Sequence, residues 1–364
     1  MRLLLVADTL TNGGLERQMS LLAASLPAEW QVRVWAMDGG PFEAYLRDAG
    51  IDVTVRQRHF RYDPLAAVAL WSALRGWRPD VVHAWSWMSA LAVAPMCRLV
   101  RVPLVDGMIR SGRVDSDHPR VKRLGMAMAT LVVANTQAGL AAWGVSAAKG
   151  RVVYNGFDES RLGAVEPRQR PGDGRTTVIM TGRMTPVKHY EVVIEAARRL
   201  SRGSAGWRFV LVGDGPSRGH LQRLAGDLVD AGVVVFPEAG TEVLGLVRDA
   251  DVGVLMTNPS LANEGFSNSI MEYMALGLPV VCGGGGGNPE LVRHGVTGFI
   301  VPQADPAALA DRLDYLRDHV DERRAMGAKG RERIFTELSV DVMVQRMLEV
   351  YREAALRVRP PAAV

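Results

Sequence analysis

Two glutamates eight residues apart, Glu264 and Glu272 in the run Glu264-Gly265-Phe266-Ser267-Asn268-Ser269-Ile270-Met271-Glu272, have the spacing in this chain that points most directly to chemistry. Ser267 fits a helix N-cap. Phe266, Ser267, Asn268 and Ser269 would then turn unpaired backbone N–H groups, and the positive end of the helix dipole, toward an anion such as a diphosphate. At about 100° per residue, eight steps bring the second glutamate back to within roughly 80° of the first, so both can face one site. Carboxylates accept hydrogen bonds from hydroxyls, and a pair of them beside a phosphate anchor suits a sugar on one side and a nucleoside on the other. Taken alone, the nine residues fit a solvated glutamate and an ordinary N-terminal helix charge equally well.

The cations that such a site needs stand in Thr181-Gly182-Arg183-Met184-Thr185-Pro186-Val187-Lys188-His189. Arg183 and Lys188 would neutralise the charge that develops on a departing diphosphate, although either also suits an exposed helix start. Three glycine segments could admit a ligand against bare backbone: Gly13-Gly14 in Thr11-Asn12-Gly13-Gly14-Leu15-Glu16-Arg17, Gly213 in Val212-Gly213-Asp214-Gly215-Pro216, and the run Gly283 to Gly287. The first lacks the spacing of a dinucleotide fingerprint and is followed by no Walker lysine.

What must position these residues is visible in the alternation of short apolar runs with helical patterns. Leu3 to Ala7, Val32 to Ala36, Val53 to Val55, Val81 to Ala84, Leu104 to Met108 and Leu131 to Ala134 read as strands of a parallel sheet with helices on both faces. The pattern restarts with Val178 to Thr181, Phe209 to Val212, Val233 to Phe236, Val252 to Met256, Pro279 to Cys282 and Phe299 to Val301. The expected architecture is therefore α/β, with a first domain over 1–165, a Pro- and Gly-containing linker over 166–176, and a second over 177–339. An amphipathic helix follows at about 340–358. Each motif above falls at the carboxyl end of a strand, where open parallel sheets bind ligands, so a site shared by the two domains would lie in a cleft between them.

At 364 residues, with 48% hydrophobic and 23% charged residues, the chain has the length and composition of two folded domains. No apolar run reaches membrane-spanning length and the first residues do not read as a signal peptide, so a cytoplasmic protein is expected. Cys97 and Cys282 have neither metal-ligand spacing nor a disulfide framework, which leaves buried thiols. The net charge of +4 is concentrated in the first half, with 19 Lys and Arg against 14 Asp and Glu up to residue 165 and 24 against 25 beyond it. The densest stretch, Arg98, Arg101, Arg110, Arg113, Arg120, Lys122 and Arg123, could meet an anionic acceptor or the surface of an acidic membrane from the inner side, or simply be solvated. Nothing in the sequence points to nucleic acid.

The ordered set of motifs resembles the retaining glycosyltransferases of family 4, also called glycosyl transferases group 1. It comprises Gly13-Gly14 with Glu16, Asn155-Gly156 with Asp158, Gly182-Arg183 with Lys188, Val212 through Pro216, Glu264 through Glu272 running on to Val281, and Gly295 through Phe299. The resemblance implies the GT-B fold, two Rossmann-like doubly wound domains facing a central cleft. It further implies that Arg183 and Lys188 bind the diphosphate of a nucleotide sugar, that Glu264 contacts the donor sugar and Glu272 the ribose, and that the Gly13-Gly14 loop closes over the donor. The terminal helix would cross back to the first domain. The nucleobase would be read by backbone near Phe236, Pro237 and Glu238.

Two positions depart from the family pattern. Trp85 stands where many relatives have a sugar-facing histidine, with His83 two residues before it, and His189 follows the motif lysine in place of glycine. Trp85, Trp87, Arg110 and Arg113 would offer stacking surface and cations to a saccharide or lipid-linked acceptor, unless the tryptophans are core. The reaction implied is transfer of a sugar from a UDP- or GDP-sugar with retention, without a metal or other cofactor. The Asp-x-Asp triplets Asp115-Ser116-Asp117 and Asp249-Ala250-Asp251 read as structural. A sugar-nucleotide epimerase of the same fold, or a nucleotide-sugar binding protein without catalysis, are the alternatives, and products formed on incubation with nucleotide sugars separate all three.

Overall fold

The computed structural model describes residues 1–11, 13–57, 63–110, 118–163, 174–202, 206–238 and 242–358. Arg113, the Asp115-Ser116-Asp117 triplet, Asn12 and most of the expected linker lie outside these ranges. The chain forms two compact units, the second running Phe157–Ser339 and the first comprising most of the chain before it together with the segment from Val340 onward.

The first unit alternates β1 (Arg2–Ala7), α1 (Gly14–Ala24), β2 (Gln31–Ala36), α2 (Phe42–Asp48), β3 (Asp52–Val55), α3 (Pro64–Trp77), β4 (Val81–Ala84), α4 (Trp87–Val100), β5 (Leu104–Ile109), α5 (Pro119–Met128), β6 (Leu131–Ala134), α6 (Gln137–Trp143) and β7 (Gly150–Val152). Its strands are all parallel in the order β3-β2-β1-β4-β5-β6-β7. The apolar run Leu3 to Ala7 is needed because both faces of this sheet are covered. Leu3, Leu5 and Ala7 pack on one side with Met19 and Leu22, while Leu4 and Val6 pack on the other with Leu70, Leu74, Val93 and Cys97.

The second unit contains β8 (Thr176–Thr181), α7 (Tyr190–Ser201), β9 (Trp207–Val212), α8 (Arg218–Leu224), α9 (Gly226–Asp230), β10 (Val234–Val235), α10 (Val243–Asp249), β11 (Val252–Leu255), α11 (Asn268–Ala275), β12 (Val280–Gly283), α12 (Asn288–Leu291), β13 (Gly298–Val301), α13 (Pro306–Asp318) and α14 (Val320–Glu337). Its parallel sheet has the order β10-β9-β8-β11-β12-β13. Strand order reverses direction between β8 and β11, which creates the crevice where such sheets bind ligands. A close approach requires Gly253 in β11, because a Cβ there would run into the ring of Tyr273 on α11.

α15 (Val340–Val358) belongs to the first unit. Met343, Val344, Met347, Leu348, Tyr351 and Ala354 recur at helical spacing and join the cluster built on Leu3 and Leu5. Its Tyr351 hydroxyl lies 2.8 Å from His83 Nδ1 at the end of β4, with both residues fully buried. β7 is a seventh strand that the apolar pattern does not reveal, since Gly150-Arg151-Val152 is too short and polar to stand out.

Candidate functional site

The sheet order places β8 and β11 side by side, and the loops leaving them carry the residues singled out above. Thr181 closes β8, and Gly182 follows with φ 154, a conformation that suits glycine. Three tight contacts shape the backbone here. A Cβ at Gly213 would strike the Gly182 carbonyl oxygen, and one at Gly215 the Met184 carbonyl oxygen. Tyr190, buried at the start of α7, donates to the carbonyls of Gly182 at 2.8 Å and Val212 at 3.0 Å. Its desolvated phenol is held neutral, with a pKa well above its ordinary value. The turn is therefore closely packed and braced by the Tyr190 hydroxyl.

From that turn Lys188 reaches across the crevice. It forms an isolated bridge with Thr257, just past β11, and its Nζ lies 2.5 Å from Glu264 Oε1. Thr257 Oγ1 donates to the same oxygen at 2.8 Å. Both side chains of the ion pair are mostly shielded, at 19% and 15% exposure, so the pair is ordered by more than surface attraction. An ammonium has three donors, and the glutamate occupies one. Behind Glu264, Gly287 N donates to its carbonyl at 2.9 Å. At Gly286, φ is 61 and a Cβ would collide with that same carbonyl oxygen, so the glycine run wraps the Glu264 backbone closely. Arg183 is exposed and, among the described residues, unpaired.

α11 begins at Asn268, and Ser267 is its N-cap, with Oγ 3.4 Å from Ile270 N. Phe266 and Ser267 are buried, and Ser269 Oγ donates to the Thr181 carbonyl at 3.1 Å, which ties the helix start to the end of β8. Glu264 precedes the helix by four residues. The angular argument that put both glutamates on one helical face therefore does not apply, and the chain path of the intervening loop sets their positions. Glu272 is 8% exposed and pairs with Arg161 at 2.9 Å, a partner more than a hundred residues away that no local pattern reveals. Arg218 is another residue that no motif marks: its guanidinium donates to the carbonyls of Gly213 at 2.5 Å and Pro237 at 2.7 Å. The Pro237 carbonyl is thus already engaged by the protein.

The expected residues of the first unit stand differently. Gly13 is the N-cap of α1, and the Glu16 carboxylate folds back so closely that a Cβ at Gly13 would strike it, while Gly14 opens the helix. The Glu16 carboxylate thus lies against Gly13 and accepts from Thr9 Oγ1 at 3.1 Å. Trp85 is 1% exposed and offers no stacking face, a correction to its expected part in acceptor binding. The Arg110 guanidinium lies 4.5 Å from the centre of its ring, and His83 packs beside it at 4.7 Å. Burial, and then Arg110, lower the His83 pKa well below its ordinary value, so the ring is neutral. Asp249 pairs with Arg248 and Asp251 accepts from Thr177 N, which agrees with a structural reading of that triplet. Cys97 and Cys282 are free, buried thiols pushed up to about 12 by desolvation.

The profile described as "Glycosyltransferase Family 4" matches residues 12–161, and that described as "Glycosyl transferases group 1" matches 175–319. A protein described as a colanic acid biosynthesis glycosyltransferase, WcaL of Salmonella typhimurium, is 34% identical over 162 residues, 43% of this chain and 40% of its own length. The chain thus spans about two fifths of that relative. The D-inositol 3-phosphate glycosyltransferase of Thermomonospora curvata is 31% identical over 322 residues, covering 78% of this chain and 74% of the relative. Among solved structures, HepE of Anabaena, crystallised with UDP, superposes with a TM-score of 0.83 at 22% identity over 97% of this chain and all of that one. That likeness shows the fold, which is GT-B.

Proposed function

The chain belongs to the family 4 glycosyltransferases, and from that membership we propose that it moves a sugar from a nucleotide-diphosphate sugar to a saccharide or lipid-linked acceptor, with retention and without a metal. The observation that carries this reading is the Lys188–Glu264–Thr257 cluster at the reversal point of the second sheet, beside the start of α11 and the exposed Arg183. In this scheme Glu264 has two tasks: it orients Lys188 and accepts hydrogen bonds from the donor sugar's hydroxyls. Lys188, Arg183 and the N–H groups of Ser267 to Ser269 take up the charge released when the anomeric carbon–oxygen bond to the diphosphate breaks. The acceptor oxygen bonds to that carbon on the face the diphosphate leaves, and its proton passes to the departing phosphate oxygen. No protein nucleophile is needed, and the work is positioning and neutralisation.

Glu272 holds the ribose, and the backbone around Gly182, Gly213 and Pro237 lies against the nucleoside. The glycosyltransferase relatives, named for colanic acid biosynthesis and for D-inositol 3-phosphate, and the UDP of HepE support a donor of this class. Among the described residues no helix is long and apolar enough to cross a membrane. The arginines exposed on α4 and α5 support a peripheral contact with an acidic bilayer, the setting of a lipid-linked acceptor. The test is incubation with UDP- and GDP-sugars in the presence of chelator, followed by NMR of the products. Release of nucleoside diphosphate and transfer with the donor's anomeric configuration is expected. An altered sugar still attached to nucleotide, inversion, or activity abolished by chelator would each overturn a stated part.

A further inference from the structure

We propose that the first unit holds a subsite for one hydrocarbon tail of the acceptor, in a cavity between the first turns of α3 and α4. The inference rests on the transferase reading, because it names the class of molecule that receives the sugar. The cavity measures about 230 Å³, and its walls include Trp35, Met37, Leu70, Trp87, Met88 and Leu91. It sits at the carboxyl edge of the first sheet, where β2 ends at Ala36 and α4 starts two residues after β4. That is the edge at which an open parallel sheet receives its ligand.

The wall chemistry favours hydrocarbon over a sugar ring as occupant. Each hydroxyl of a buried sugar needs a hydrogen-bond partner, and an unmet one costs about as much as an orphaned protein group. Among the described lining residues the one charged group is Asp63, 7% exposed, and its Oδ1 accepts from Leu65 N at 2.9 Å as the N-cap of α3. For scale, an apolar cavity of about 150 Å³ takes up a benzene and stays dry. The present one has room for a tail segment.

α3 adds an independent observation. From Pro64 through Leu70 no side chain can form a hydrogen bond, yet Leu65 and Val68 are 64% and 63% exposed while Ala66 and Leu70 on the opposite face are buried. Farther along the same outer stripe come Ser72 and Arg75, which are polar and exposed. An outer stripe that is apolar in the first two turns of α3 and polar beyond them fits hydrocarbon at one end and water at the other. From the same two turns Pro64, Ala66, Ala67 and Leu70 line the cavity, while Leu65 and Val68 face outward.

The experiment titrates the full-length chain with methyl, butyl, hexyl and octyl glucoside below their micelle concentrations, with UDP and GDP titrated separately. Each added methylene should tighten binding about fourfold, equivalent to about 0.8 kcal/mol per buried CH₂, and the gain should stop when the cavity is full. Ala67→Phe and Ala92→Phe, which fill the space from opposite walls, should each abolish the chain-length gradient and leave nucleotide affinity unchanged. Affinity independent of chain length in the parent protein, or a gradient surviving in a folded filled variant, would overturn the subsite. Because the parent gradient is read without any variant, misfolding of one substitution does not blunt the test. Failure of both nucleotides to bind would strike the transferase reading instead, through a measurement the alkyl series does not share.

Discussion

At the scale of single residues, the site depends on a lysine that is not merely present but aimed. Lys188 is fixed by Glu264, and Glu264 by Thr257 and the glycine wrap behind it. Lys188→Ala should therefore lower kcat by about 10²–10³, the loss typical of one preorganised donor at a developing anion. Glu272→Ala should instead weaken nucleoside diphosphate binding by roughly ten- to a hundredfold, the worth of one charged hydrogen bond. Normal turnover in the first variant and normal affinity in the second would remove these residues from the site. In the first unit, burial pushes the Asp106 carboxyl up to about 7, opposed by the Met108 N–H, Lys149 and Arg110. Below about pH 4 both folded and unfolded chains hold this proton, whereas between about 4 and 7 the folded chain alone does. Stability from this group is thus full in acid and is lost as pH rises through 7. Asp106→Asn cannot ionise, so its melting temperature relative to the parent should be higher at pH 8 than at pH 5, and an equal difference at both would contradict the assignment.

At the scale of elements, glycines decide how closely the loops approach one another. Gly286 has positive φ and faces the Glu264 carbonyl with no room for a Cβ. Gly286→Ala should cost roughly 1–2 kcal/mol of stability from the backbone conformation alone. It should also lower turnover by displacing Glu264 and with it Lys188. Circular dichroism checks that the fold persists, and an unchanged rate in the folded variant would show that the glycine wrap does not set the ion pair. α11 makes the complementary point. Its cap at Ser267 was legible as a serine before an apolar run, but the separation of Glu264 from the helix was not, because where a helix starts depends on the loop as well as on the cap.

At the scale of the whole molecule, two units of the same class are built from one alternating pattern, and α15 returns to the first of them to cover Leu3 and Leu5. Binding to the second unit stabilises the folded chain by mass action. A nucleoside diphosphate at a hundred times its Kd contributes about 2.7 kcal/mol, or roughly 3–4 °C in Tm for a chain of this length. A thermal-shift series over UDP, GDP and ADP should single out one base, and no shift with any of them would contradict the donor site. Arg218, which holds the Gly213 and Pro237 carbonyls together, shapes the backbone against which that base would lie.

Sequence by itself determined the parallel α/β class, the positions of the strand-end motifs and the family, because apolar period and glycine spacing are local and ordered along the chain; it set the second domain's start at 177, whereas the second compact unit begins at Phe157. Tertiary structure alone decided what the residues touch. It paired Glu272 with Arg161 and Lys188 with Glu264, set Glu16 against Gly13, and buried Trp85 beneath Arg110. The physical reason is range: a strand or a cap is set by neighbours a few residues away, whereas a salt bridge or a sealed indole is set by which strands the sheet order makes adjacent. β8 meets β11 across some seventy residues, and no spacing rule read along the chain measures that distance.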